Sequence, residues 1–383
     1  MLAGPAPERS SAPARIAMLV PDLRGGGAER VQLSLAADFR QRGFRVDLIV
    51  MRAFGELLEE VPEGLRLVDL RVPRTRNLLP VLRAWLVRER PDALMAALWP
   101  ITSIAILARG MAGVPTRVLV SDHNNLIAQH AHRGGLYRCL MAAMMRATYP
   151  RADARVAVSA GTAEVVARLS GLDRRNIAVI HNPVAPFPPV AGGFDAEAAW
   201  GAPPGTRILT IGTMKPQKNH PLLLRAFARL ARLDARLAIL GDGEERAATE
   251  ALAHELGLGG RVRMPGYVAN PGPWLASADL FVLSSDYEGF GNVIVEALGA
   301  GLPIVSTDCA SGPAEILDNG RFGTLVPVGD EHALAQAMES ALGCACDRAA
   351  LVRRAGEFAP EIAAERYLEL LLPDQVHPRG RAA

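Results

Sequence analysis

Short apolar runs rich in Val, Ile and Leu recur along the chain and alternate with longer segments of helical periodicity. Unbroken runs of this kind belong to parallel strands buried on both faces, whereas a half-wet sheet alternates apolar and polar residues. The first half carries them at 16–20, 46–50, 93–97, 117–120, 156–158 and 177–180. The second half starts the pattern again at 208–211, 237–240, 261–264, 280–283, 304–306 and 324–326. Between the two sets, 184–205 is rich in proline and glycine, which suit neither a helix interior nor a central strand. The pattern predicts an α/β protein of two tandem doubly wound, Rossmann-like domains, 15–183 and 206–359, joined by that linker. Ligands of such sheets bind beyond the strand C-terminal ends, so the expected site is the cleft between the domains. Helices are predicted over 221–233 and, last in the chain, 360–372, the latter placed to return to the first domain.

Composition narrows the class. Of 383 residues, 50% are hydrophobic and 21% charged, which excludes a disordered chain. Forty-two basic side chains against 40 acidic ones leave +2 in total, so bulk coating of nucleic acid is excluded and no nucleic-acid partner is expected. The balance is uneven: residues 1–183 hold 25 basic and 16 acidic groups, and the remainder 17 and 24. Only two of the basic residues are lysines, Lys215 and Lys218, and both fall in one short segment. Four unevenly spaced cysteines make no disulfide framework or zinc site and point to a reducing, cytoplasmic setting. The leader 1–14 and the tail 374–383 read as disordered or frayed, and no run is long enough to span a membrane.

Candidate chemistry concentrates at the ends of predicted strands. After 280–283 come Ser284, Ser285, Asp286, Tyr287, Glu288, Gly289, Phe290, Gly291 and Asn292, then an apolar helix carrying Glu296. Glycines before a helix start allow close backbone approach, and the helix N-terminus offers unpaired N–H groups to a phosphate. Glu288 and Glu296 reach different parts of one extended ligand, and carboxylates accept paired hydrogen bonds from vicinal hydroxyls such as sugar diols. After 208–211 stand Gly212, Thr213, Met214, Lys215, Pro216, Gln217 and Lys218, where a compact ammonium suits a departing pyrophosphate. Lys215 reads either as a second such charge or as a solvated surface lysine. After 16–20 stand Gly25, Gly26, Gly27, Ala28, Glu29 and Arg30. This is no dinucleotide fingerprint, because Arg30 takes the place of its third glycine and Asp47 begins the second strand rather than ending it. His123 follows the run 117–120, at a strand end facing the cleft. No Asp-x-Asp triplet or P-loop signature occurs.

The stretch from Glu288 to Glu296, continued through Ser306, Asp308, Gly312, Pro313 and Glu315, resembles the paired-glutamate motif of retaining GT-B glycosyltransferases of the family four, group 1 type. The resemblance extends through Lys218, the Gly26–Gly27 loop, His123, Asp153, His181 and Asn182, and so covers nearly the whole chain. It implies an acceptor-side first domain and a nucleotide-sugar second domain. It places Glu288 beside the donor sugar and Glu296 on the ribose hydroxyls. Phe290 and Gly291 present backbone donors, Lys218 contacts the diphosphate, and His123 touches the transferred sugar. Gly26 and Gly27 approach the donor phosphates, while Gly212, Thr213, Gly289 and Asn292 complete the donor pocket. Thr213 stands where the family pattern carries an arginine. The implied reaction moves a hexosyl or N-acetylhexosaminyl unit from a UDP-type nucleotide sugar to a growing cell-surface glycan, in particular a polyprenyl-linked one, with retention and without metal.

Two questions stay open at this level. The stretch 131–151 interleaves Arg133, Arg138, Arg146 and Arg151 with leucines and methionines. It reads equally as a helix lying on an anionic inner-membrane surface and as a core helix with arginines on its wet face. A nucleotide-sugar epimerase or a non-catalytic nucleotide-sugar binding subunit would use the same architecture.

Overall fold

The computed structural model describes residues 13–187, 193–201 and 205–376. All but the last two residues of the leader, two parts of the linker and the tail beyond Val376 lie outside the described residues. The first sheet has seven strands: β1 (Arg15–Val20), β2 (Arg45–Val50), β3 (Arg66–Asp69), β4 (Ala93–Ala97), β5 (Arg117–Asp122), β6 (Ala154–Ala157) and β7 (Ala178–Val179). Their order is β3-β2-β1-β4-β5-β6-β7, with every pair parallel. The second sheet has six: β8 (Arg207–Ile211), β9 (Arg236–Leu240), β10 (Val262–Gly266), β11 (Leu280–Leu283), β12 (Ile304–Thr307) and β13 (Thr324–Val326). They run β10-β9-β8-β11-β12-β13, again all parallel.

Burial explains why the apolar runs became these strands. Ile16, Ala17, Met18 and Leu19 of β1 are fully buried, feeding alternately into the two apolar clusters on the sheet's opposite faces. Each fully buried aliphatic side chain contributes about 1.5–3 kcal/mol relative to exposure. β3 escaped sequence detection because it is a short edge strand with mostly exposed residues, so it needs no apolar run.

Two local differences have visible causes. Within the linker, Ala196–Trp200 forms a short helix, started by the Asp195 side chain accepting from the Ala198 amide and ended by Gly201 in the left-handed region. Its Trp200 is buried and packs on Trp274. The helix expected over 221–233 is only His220–Ala228. Past it, Glu339 accepts from the Ala231 amide (2.8 Å) and from Arg232 Nε (3.2 Å), which draws the chain out of the helix towards β9.

The helix Pro360–Leu371 follows the second domain but lies on the first. Ala364, Tyr367, Leu368 and Leu371 share one apolar cluster with Ile16, Leu35 and Phe39, and Arg117 Nε donates to the Leu370 carbonyl (2.7 Å). The outgoing and returning chains meet where the Val184 amide donates to the Phe358 carbonyl (3.0 Å). Strand order reverses between β1 and β4 in one sheet and between β8 and β11 in the other. The loops after β1, β8 and β11 therefore open at the two switch points, where doubly wound sheets receive ligands. No helix among the described residues is long and apolar enough to cross a membrane.

Candidate active site

A cleft of about 940 Å³ lies between the domains. Its walls include Gly26, Gly27 and His123 from the first domain and Gly212, Thr213 and Lys218 from the loop after β8. From the loop after β11 and its helix come Glu288, Gly289, Phe290, Gly291, Asn292 and Glu296, so every residue that the resemblance places at the donor lines one space.

The floor is made by stitching the β8 and β11 loops together. Ser284 Oγ donates to the Lys218 carbonyl (2.8 Å), the Asp286 amide to the Gln217 carbonyl (2.9 Å) and Gln217 Nε2 to the Tyr287 carbonyl (2.7 Å). Lys218 closes the single turn Pro216–Lys218, and Asn219 follows in the left-handed region with its side chain accepting from the Leu222 amide. A Cβ at Gly212 would stand 2.9 Å from Cε of Lys218; the bare glycine lets the lysine stem cross β8's end. Lys218 Nζ then sits 2.6 Å from Glu288 Oε1, which also accepts from Ser285 Oγ at 2.7 Å. The sequence reading put these two groups on a shared ligand; the structure adds that they hold each other.

Glu296 is set one turn into the helix Asn292–Gly299, whose N-cap Gly291 supplies no side-chain cap. Burial pushes its carboxyl up to about 7, with Arg30 and Lys218 pulling the other way. Burial likewise pushes Glu29, behind the glycine loop, up to about 7. Phe290 contributes only backbone to the cleft, since its ring is buried and stacked on His181 with centroids 5.2 Å apart.

The domains close on each other directly. A Cβ at Gly289 would overlap the carbonyl oxygen of His123, and the Gly289 carbonyl accepts from Ser159 Oγ (2.7 Å) and Thr162 Oγ1 (3.0 Å) across the interface. Glu315 accepts from the amides of Ala160 (2.9 Å) and Gly161 (3.2 Å), at the N-terminus of the helix Ala160–Ser170, and lies 3.3 Å from His181 Nε2. Burial opposes its ionisation, but His181 and the two amides outweigh that and hold its carboxyl below the ordinary range. On the other rim, Arg30 donates to Tyr267 of the second domain (2.6 Å) and to Glu60 (3.1 Å). Asn182 Nδ2 donates to Asn292 Oδ1 (2.8 Å).

His123 is 6% exposed, and burial pushes its imidazole down to about 4, so it is neutral near pH 7. Lys215 is exposed but lines the cleft with Thr213. Asp47, already unsuited to a ribose, pairs with Arg15 (2.5 Å). Among the described residues no three His, Cys, Asp or Glu side chains gather as a metal-binding group. Tyr267 and the interface roles of Glu315 and Asn182 were missed in sequence, because each acts on a residue far away in the chain.

Two doubly wound domains facing each other across a cleft, with the ligand-bearing loops at both switch points, define the GT-B architecture. Residues 25–186 match the model of Glycosyltransferase Family 4 and 205–343 that of Glycosyl transferases group 1. The chain belongs to this glycosyltransferase family. It is 27% identical over 339 residues to the N-acetylgalactosamine-N,N'-diacetylbacillosaminyl-diphospho-undecaprenol 4-alpha-N-acetylgalactosaminyltransferase of Campylobacter jejuni, covering 86% of this chain and 90% of that one. It is 37% identical over 169 residues to the lipopolysaccharide core biosynthesis glycosyltransferase LpsE of Rhizobium meliloti, a match spanning 43% of this chain and about half (49%) of that relative. The crystal structure of Anabaena Alr3699/HepE in complex with UDP and glucose superposes with a TM-score of 0.75 at 19% identity, over 94% of this chain and 99% of that one. That likeness speaks for the fold.

Proposed function

We propose that the cleft transfers a hexosyl or N-acetylhexosaminyl unit from a UDP-type nucleotide sugar to a growing, lipid-linked cell-surface glycan, retaining the anomeric configuration and using no metal ion. The observation that carries this reading is Glu296: a carboxylate set in the cleft wall, raised by burial, to which no described residue is seen to donate. Such a group is stabilised by a ligand diol, and a ribose supplies one. The UDP and glucose of the HepE complex support the donor class, and the undecaprenol in the Campylobacter relative's name supports the acceptor class.

In this reading Lys218 leans from Glu288 onto the donor diphosphate, Lys215 adds the second charge that the family's arginine supplies, and the Asn292 helix start offers N–H groups. The bond between the anomeric carbon and the phosphate oxygen breaks with its electron pair going to phosphate. The acceptor hydroxyl attacks from the same face and passes its proton to that leaving oxygen, so no side chain is a nucleophile. Glu288 and His123 hold the sugar during the exchange. The Arg133 to Arg151 face docks the enzyme on an anionic membrane, bringing lipid-linked acceptor to the cleft.

Incubation with a panel of labelled nucleotide sugars, with and without glycan-lipid acceptor and with EDTA, tests this. Acceptor-dependent, EDTA-resistant formation of a product with the donor's anomeric configuration is expected. Conversion of the donor without acceptor would establish an epimerase instead, and binding with no turnover a non-catalytic subunit.

A further inference from the structure

His123 is joined to the far end of the chain by a hydrogen-bonded line buried under the cleft. Tyr367 Oη, on the returning helix Pro360–Leu371, lies 2.9 Å from Ser121 Oγ, and Ser121 Oγ lies 3.0 Å from His123 Nε2. Gln32 Nε2, from the first-domain helix Gly27–Gln41, approaches the same imidazole nitrogen at 3.4 Å. Tyr367, Ser121 and Gln32 are each completely shielded from solvent. On the opposite side of the ring, Nδ1 faces the Asn182 side chain, whose Oδ1 has no other donor; both atoms are buried, and both residues line the cleft.

The polarity of the line follows from counting protons. Tyr367 has one hydroxyl proton and, among the described residues, one acceptor within reach, Ser121 Oγ. If Nε2 carried the imidazole proton and donated to Ser121, the serine would donate back to the phenol, and the buried phenol proton would have no acceptor. An Nε2 proton would also face the Gln32 amide, itself a donor as oriented. With Tyr367 donating to Ser121 and Ser121 to Nε2, every proton on the line is used, and the imidazole proton stands on Nδ1. Burial keeps Tyr367 a neutral phenol by raising its pKa well above the ordinary range.

We propose that Tyr367, acting through Ser121, is a positioning residue that fixes His123 as the Nδ1–H tautomer, so that the imidazole keeps one orientation against the Asn182 side chain in the wall of the cleft. This rests on the reading of the cleft as a sugar-transfer site. It gives the returning helix a purpose beyond packing: the helix that comes back to the first domain locks the imidazole.

The experiment is 15N NMR of the histidine-labelled full chain, alongside steady-state kinetics, for wild type, Tyr367→Phe, Ser121→Ala and Leu368→Ala. Wild type without ligand is expected to show Nδ1 protonated and Nε2 unprotonated at pH 7. Tyr367→Phe and Ser121→Ala should give mixed tautomers and lower kcat roughly tenfold, with KM for the nucleotide sugar unchanged, as for other groups that orient a functional histidine. Leu368→Ala loosens the same helix without touching the line, and should lower the melting temperature while preserving tautomer and kcat. An Nε2–H tautomer in wild type, or Tyr367→Phe with tautomer and kcat intact, overturns the proposal. So does Leu368→Ala reproducing the kinetic loss of Tyr367→Phe. Absence of sugar transfer in wild type would instead remove the functional reading, with the tautomer still read independently.

Discussion

Lys218 Nζ and Glu288 Oε1 stand 2.6 Å apart, their side chains 13% and 9% exposed. In the cleft floor the Lys218 ammonium is thus neutralised by Glu288, the carboxylate that the proposed function sets beside the sugar. A nucleoside diphosphate brings negative charge to this pair, and the flexible ammonium can turn towards it while Ser285 and Gln217 go on holding Glu288.

Lys218→Met should therefore have two separable effects. Removing a preorganised charge at the leaving group lowers kcat by about a hundredfold or more. Leaving Glu288 nearly buried and unpaired costs on the order of 3 kcal/mol, read by chemical denaturation of the ligand-free protein. Lys218→Arg keeps the charge but not the slim stem that lies against Gly212, so its turnover should fall between wild type and the methionine variant. Full activity in the arginine variant would show that shape at this position is irrelevant.

Glu296 makes the pH behaviour predictable. Its folded-state pKa, pushed up to about 7, lies above the unfolded value of about 4.3, so its contribution to stability is complete below pH 4 and is lost as pH rises to 7. The loss is on the order of 3 kcal/mol. Glu296→Gln should flatten the stability profile between pH 5 and 8 and make the ligand-free protein more stable than wild type at pH 8. The same variant should bind UDP more weakly. Because the ionised form accepts the diol, wild-type affinity should tighten as pH rises towards 7 with proton uptake by buffer, measurable by calorimetry in buffers of different ionisation heat.

How far these features were visible beforehand depends on whether one residue or two were needed to define them. The strand Leu280–Leu283, buried at all four positions, announces itself by composition, and the Glu288 to Glu296 spacing by resemblance. The exposed edge strand Arg66–Asp69 carries no such signal, because its position in the sheet and not its hydrophobicity makes it a strand. Gly289 was recognisable as a glycine of the motif, but the reason it must be one is a carbonyl in the other domain. Ser121 and Tyr367 are ordinary residues 246 positions apart; only the returning helix gives them a shared bond.

Gly289→Ala tests the closed arrangement of the domains. The added methyl would occupy the place of the His123 carbonyl oxygen, so the domains must separate locally. Displacements near 1 Å at a reacting centre cost about a hundredfold in rate. Circular dichroism is expected to stay unchanged, while activity falls by about that factor and small-angle scattering shows a larger radius of gyration. The Ser159 and Thr162 bonds to the Gly289 carbonyl would be stretched with it, and an unaffected rate would show that the reaction proceeds from a more open form.

The last prediction concerns the helix Gly135–Thr148. Its inner side is apolar core, with Met141 and Met145 buried, so the core half of the sequence alternative is present in the structure. Its outer side is not merely wet: Leu136 is 76% exposed and Leu140 61%, one helical turn apart, beside exposed Arg133 and Arg138. Adjacent exposed leucines ringed by arginines fit a surface that inserts shallowly among anionic headgroups, each arginine adding about 1 kcal/mol. The purified protein should co-sediment with phosphatidylglycerol-containing vesicles at low salt and dissociate as salt is raised. Replacing Arg133 and Arg138 with glutamate should lower the partition constant at least about tenfold, and replacing Leu136 and Leu140 with serine should weaken binding even at low salt. All these positions lie outside the cleft lining, so turnover of a soluble acceptor analogue should be unchanged. Failure of the wild-type protein to bind anionic vesicles at low salt would leave this face as ordinary surface and the lipid-linked acceptor without its docking site.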